Sequence, residues 1–148
     1  MTRTPDDIAG ETGGPVDEAA ATLAIYGDTL RPDDVTALFQ IKPTKSFESG
    51  HKPGPKSPPI THGAWFYELR GRSPLGPEDL VQMLLARLPR DPEIWNQLRT
   101  QYRVRLRIAL HMGAWNRGFG LSSEIVGRIA AIGAELDFDV YAYGDRDA

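Results

Sequence analysis

Apolar and polar positions follow two periods along this chain, and each change of period marks an element. From Ala21 to Tyr26, Leu23 and Ile25 alternate with Thr22, Ala24 and Tyr26, the twofold period of a half-buried strand. Gly27-Asp28 reads as its turn. Pro32 then opens a helix: its missing N–H costs nothing at the first helical position. Asp33 and Asp34 suit the positive end of the helix dipole, and Val35, Leu38 and Phe39 form one apolar face. Thr44 to Ser49 reads as a short edge strand. His51 to Thr61, with Pro53, Pro55, Pro58 and Pro59, reads as an exposed loop. Ala64 to Leu69 is a strand with Trp65, Tyr67 and Leu69 on one side and Ala64, Phe66 and Glu68 on the other.

The helix-start pattern recurs at Pro77-Glu78-Asp79, leading Leu80, Leu84 and Leu88 inward. Pro89 and Pro92 break that helix, and a second segment carries Ile94, Trp95, Leu98 and Tyr102. The clearest alternation runs from Arg103 to His111, with Val104, Leu106, Ile108 and Leu110 facing one way and Arg103, Arg105, Arg107 and Ala109 the other. A glycine-rich loop, 113–120, precedes a helix expected over Ser122 to Leu136. Ser122 or Ser123 caps it, and Ile125, Ile129, Ile132 and Leu136 form its stripe. Phe138 to Tyr143 is the last strand. The order predicts an α+β domain: a ferredoxin-like β-α-β-β-α-β sheet extended by a C-terminal helix and strand, with the helices on one face. Residues 1–20 lack apolar periodicity and are expected to be a disordered acidic leader. A single domain is expected over 21–144, with a short acidic tail at 145–148.

Composition narrows the chemistry. The 148 residues suit one domain with a core of its own. With no cysteine, disulfides, thiolate metal sites and a cysteine nucleophile are excluded. No apolar run approaches the roughly 18 residues of a membrane span, and the N-terminus lacks a signal-peptide core. The expectation is a cytoplasmic protein with no membrane partner. The net charge of −3 conceals an asymmetry. Residues 1–20 and 135–148 each carry one base against five acids, so the body between them is net basic. An acidic head and tail around a basic body describe either a face for an acidic partner or solubilising ends.

Several segments, taken in order and spacing, resemble the domain of unknown function 4279 family. They are Gly27-Asp28 with Leu30 and Pro32-Asp33-Asp34-Val35-Thr36, then Ile41-Lys42-Pro43-Thr44 with Ser46, Phe47 and Gly50, then Trp65. The C-terminal segments run from Gly118 to Glu124 and from Leu136 to Tyr141. The resemblance covers about residues 21–143 and implies a fold and a bacterial origin, not a reaction. The chain departs from it in the proline-rich stretch after His51 and in Phe47, where tryptophan is common.

Candidate chemistry is sparse. His51, His62 and His111 are widely spaced, and Asp137 and Asp139 serve equally as strand-end charge, so neither a metal nor a cofactor is expected. The loop 113–120 has G-x-x-x-x-G spacing, but Phe119 and Gly120 stand where a P-loop needs Lys and Ser/Thr. Its backbone N–H groups and Arg117 could still hold an anion. No G-x-S-x-G elbow appears, and the paired acids at 33–34 and 78–79 are explained by helix starts. No catalytic residue is assigned.

The Arg103, Arg105 and Arg107 row is the sharpest feature, its guanidiniums roughly 6.6–6.8 Å apart along one strand face. If the last strand lies alongside, Asp139, Tyr141 and Tyr143 join that face. Arginine and tyrosine are the residues interface hot spots favour. The leading expectation is a non-catalytic protein-binding module, of the immunity or antitoxin kind by analogy, docking through Arg103, Arg105, Arg107, Tyr141 and Tyr143, with Trp115 and Arg117 from the loop. The alternative is a nucleic-acid or anionic-ligand binding domain using the same basic face. The row could also be neutralised internally by Glu68 and Asp139, or the face could close on a second copy as a dimer.

Overall fold

The computed structural model describes residues 16–113 and 117–142. The chain runs β1 (Glu18–Gly27), α1 (Pro32–Phe39), β2 (Lys45–Phe47), β3 (Gly63–Arg72), α2 (Pro77–Arg87), α3 (Pro92–Gln101), β4 (Arg103–Met112), α4 (Ser123–Ile132) and β5 (Glu135–Ala142). This is an α+β fold with one five-stranded mixed sheet, ordered β2-β3-β1-β4-β5. Neighbours are antiparallel except β4 and β5, which are parallel and joined through α4, the crossover that a parallel pair requires.

Local chemistry starts each helix. Proline opens α1, α2 and α3. Asp79 Oδ2 accepts from the Gly76 N–H at 2.8 Å, Asp91 accepts from Glu93 N at 3.0 Å, and Ser122 Oγ accepts from Ile125 N at 3.3 Å. One side of the sheet meets all four helices: Leu23, Ile25, Trp65, Leu106 and Ile108 share a core with Val35, Phe39, Leu84, Trp95 and Ile129. Trp65, Phe39 and Trp95 form an aromatic chain through it, with centroid spacings of 5.3 and 5.2 Å. Thr22, Tyr26, Phe66 and the arginine row alternate onto the opposite side, the helix-free face, which no helix among the described residues covers.

Three expectations are corrected. The first strand begins at Glu18 rather than Ala21, because Ala19, Ala20 and Ala21 are buried and pair on both sides. Leu38 is 37% exposed; Pro32, Val35 and Phe39 carry the buried side of α1. The last helix ends at Ile132, not Leu136. Gly133 takes the left-handed conformation (φ 67°) that glycine adopts at low cost, and its N–H bonds to the Ala130 carbonyl. Glu135 therefore starts β5, and Leu136 leaves the helix stripe for the edge of the sheet, where it is 39% exposed.

Candidate functional site

The helix-free face is set by strand register. Across β1, Ala24 stands between Phe66 of β3 and Arg105 of β4; one rung on, Thr22 stands between Glu68 and Arg107. Tyr26, at the strand end, stands between Ala64 and Arg103. The centre of the face is thus built from small side chains and its margins from large ones. The result is a trough of about 410 Å³ floored by Thr22, Ala24 and Ala64 and walled by Phe66, Arg105 and Arg107. Tyr26 and His62, with ring centroids 6.0 Å apart, also line it. The Arg103 and Arg105 guanidiniums lie over the Tyr26 ring, 5.2 and 5.4 Å from its centroid.

The arginines are not equivalent. Parallel pairing brings Glu135 and Asp137 opposite Arg105 and Arg107. Arg103 Nη2 donates to both Glu135 oxygens, at 3.0 and 2.9 Å. Arg105 Nη2 reaches Glu135 at 3.3 Å, and Arg105 Nε lies 2.7 Å from Asp137 Oδ2 as a charge pair without an aligned hydrogen bond. The partners expected for the row, Glu68 and Asp139, do not serve it. Glu68 pairs with Arg70 at 2.9 Å, and Asp139 accepts from the Tyr141 hydroxyl at 2.8 Å. Arg107 is exposed and has no ion pair among the described residues.

The other expected contacts disperse. Tyr141 reaches this face, 43% exposed and stacked on His111 at 4.8 Å, but near the far end of β4 from Arg103. Arg117 lies outside the row, its Nε 3.8 Å from Asp17. Phe119, 36% exposed, faces Phe138 at 6.1 Å. Trp115 and Tyr143 fall outside the described residues. The sequence pattern hides Glu135, because the apolar stripe that continues to Leu136 places it on a helix; Gly133 is the signal that releases it. It also hides His62 and the floor of small side chains, which become a site only when three strands are in register.

The Glu135 carboxyl is held below its usual value of 4.5, chiefly by the Arg103 hydrogen bond; the same bond raises Arg103. A carboxyl ionised to lower pH in the folded than in the unfolded chain stabilises above its ordinary value. That contribution is lost as pH falls through the lowered folded value. Glu135→Gln is expected to lower the thermal midpoint slightly at pH 7, and the gap should close as pH falls below the usual carboxyl value of 4.5 and through the lowered folded value. A gap independent of pH would show that the pair contributes nothing through charge.

No cluster of three or more metal-ligating side chains occurs among the described residues, and no helix among them is long and apolar enough to cross a membrane. Neither the curated proteins nor the solved structures gave a match to the chain. The family model described as Domain of unknown function (DUF4279) matches residues 17–143, and the chain belongs to that family.

Proposed function

We propose that this chain is a non-catalytic protein-binding module that docks an acidic partner on the helix-free face of its sheet. The observation that carries the reading is Arg107: an exposed guanidinium without an ion pair among the described residues, at the margin of a trough on the sheet face that no described helix covers. Such a guanidinium gains a carboxylate partner without giving one up, and charge-assisted hydrogen bonds are worth about 1.5–3 kcal/mol. Arg103 and Arg105 already have acids of their own, which lowers the attraction of this face for a phosphate backbone and favours a protein over nucleic acid. The first four strands support a ferredoxin-like reading of the scaffold: their order, β2-β3-β1-β4, has every neighbour antiparallel, with β5 added outside β4.

The test is affinity capture of the tagged chain from its native lysate, with and without nuclease. One stoichiometric protein is expected, resistant to nuclease. It should bind at least tenfold more weakly to Arg107→Gln and unchanged to Arg90→Gln, which alters an exposed residue between α2 and α3. Nuclease-sensitive capture, or a complex indifferent to Arg107→Gln, would overturn the reading.

A further inference from the structure

From the spacing of the trough we infer the partner's recognition element: an extended segment with an aromatic residue two positions from an acidic one. The inference rests on the docking reading above and specifies its chemistry. In an extended segment, side chains at i and i+2 point the same way, roughly 6.6–6.8 Å apart. The rungs of this face repeat at the same distance. Phe66, Ala24 and Arg105 make one rung, and Glu68, Thr22 and Arg107 the next.

A segment lying along β1 would set an aromatic ring over Ala24 and against Phe66. Ala24, 6% exposed at the floor of the trough, presents only a methyl group beneath such a ring. Phe47 stands edge-on behind Phe66 at 6.2 Å, with the Lys45 ammonium 4.9 Å from the Phe47 centroid. An aromatic ring is thereby offered an apolar wall of aromatic edge and face. One rung further, an acidic side chain would reach the Arg107 guanidinium. Glu68, the acid on that rung, is held by Arg70. Three arginines against Glu135 and Asp137 leave the β4 side of the trough net positive, so the complementary segment is anionic.

Adjacent aromatic and acidic residues would fail, because neighbouring side chains in an extended segment point to opposite faces.

The experiment is an NMR titration of the full chain with three capped pentapeptides. The first is glycine-phenylalanine-serine-glutamate-glycine. The second has the same residues with phenylalanine and glutamate adjacent, and the third has glutamine for glutamate. The first is expected to bind at least tenfold more tightly than the others and to shift the amides of Thr22, Ala24 and Arg107. Arg107→Gln should reduce it to the level of the glutamine peptide, and Ala24→Leu, which fills the floor, should abolish the preference. The amide spectrum of each variant checks its fold. Equal affinity for all three peptides, no binding at millimolar concentration, or indifference to Arg107→Gln would overturn the inference. If no peptide binds but Arg107→Gln still weakens the captured complex, the docking reading stands and only the segment is wrong. A clear peptide preference without any stoichiometric protein partner would remove the docking reading instead and keep the trough chemistry.

Discussion

Trp65→Ala is expected to cost about 3–5 kcal/mol, the range for deleting a fully buried indole. Trp65 has no exposed surface, and its Nε1–H donates to Thr36 Oγ1 at 3.1 Å. Its ring meets Phe39 edge-on and stacks near Tyr67, so one side chain joins α1 to β3. Truncation removes apolar burial, leaves a cavity and takes one donor from the Thr36 hydroxyl, which keeps its own bond to the Pro32 carbonyl. Against a typical total of about 5–15 kcal/mol, this is a large fraction. At about 2–4 °C per kcal/mol for a domain near this size, the midpoint should fall by about 6–20 °C in a thermal melt. A shift below about 2 °C would mean that the core repacks around the gap. Trp65 alternates with Ala64 and Phe66, which line the trough on the opposite side of the same strand. Loss of the core anchor should therefore also loosen the site.

The second large effect is expected at Gly63, the first residue of β3. A Cβ there would lie 2.9 Å from the Leu30 carbonyl carbon, 3.3 Å from the Leu30 Cβ, and closer still to the Leu30 oxygen. The obstruction is backbone, and Leu30 is buried, with its N–H bonded to the Gly27 carbonyl at 3.2 Å. The turn after β1 must move or the end of β3 must detach. Overpacking costs about 1–3 kcal/mol where side chains can yield, so Gly63→Ala should sit at or above the upper end. His62 and Ala64 flank this glycine and line the trough, so peptide binding should weaken in parallel. Gly127→Ala is the control. Nothing lies within 4 Å of its added methyl in α4, and a gain of about 0.4–1 kcal/mol is expected. Urea midpoints of the two variants should therefore move in opposite directions. A Gly63→Ala chain as stable as its parent would refute the steric argument.

Much of the secondary structure was legible because its causes are local. Prolines followed by acids at 32, 77 and 92 open helices by local chemistry, and the alternation through 103–111 specifies both faces of β4 before its neighbours are known. The end of α4 is not legible in the apolar pattern because the stripe through Ile129 and Ile132 continues at helical spacing to Leu136. Gly133, in the left-handed conformation, outweighs that pattern. The consequence extends to charge: with Glu135 placed on a helix, it cannot be matched to Arg103 and Arg105.

Composition, alternation and capping residues thus determined the α+β class, the order of elements and the presence of an arginine row on one strand face. Pairing partners depend on which distant strands become neighbours, and local periodicity carries no record of that choice. Only the tertiary structure laid β5 parallel to β4 and brought Glu135 and Asp137 to two of the arginines, leaving Arg107 exposed. Only the register of β3, β1 and β4 turned Thr22, Ala24 and Ala64, unremarkable as residues, into the floor of a trough. A concave site needs small side chains adjacent across strands, and adjacency across strands is a property of the packed sheet.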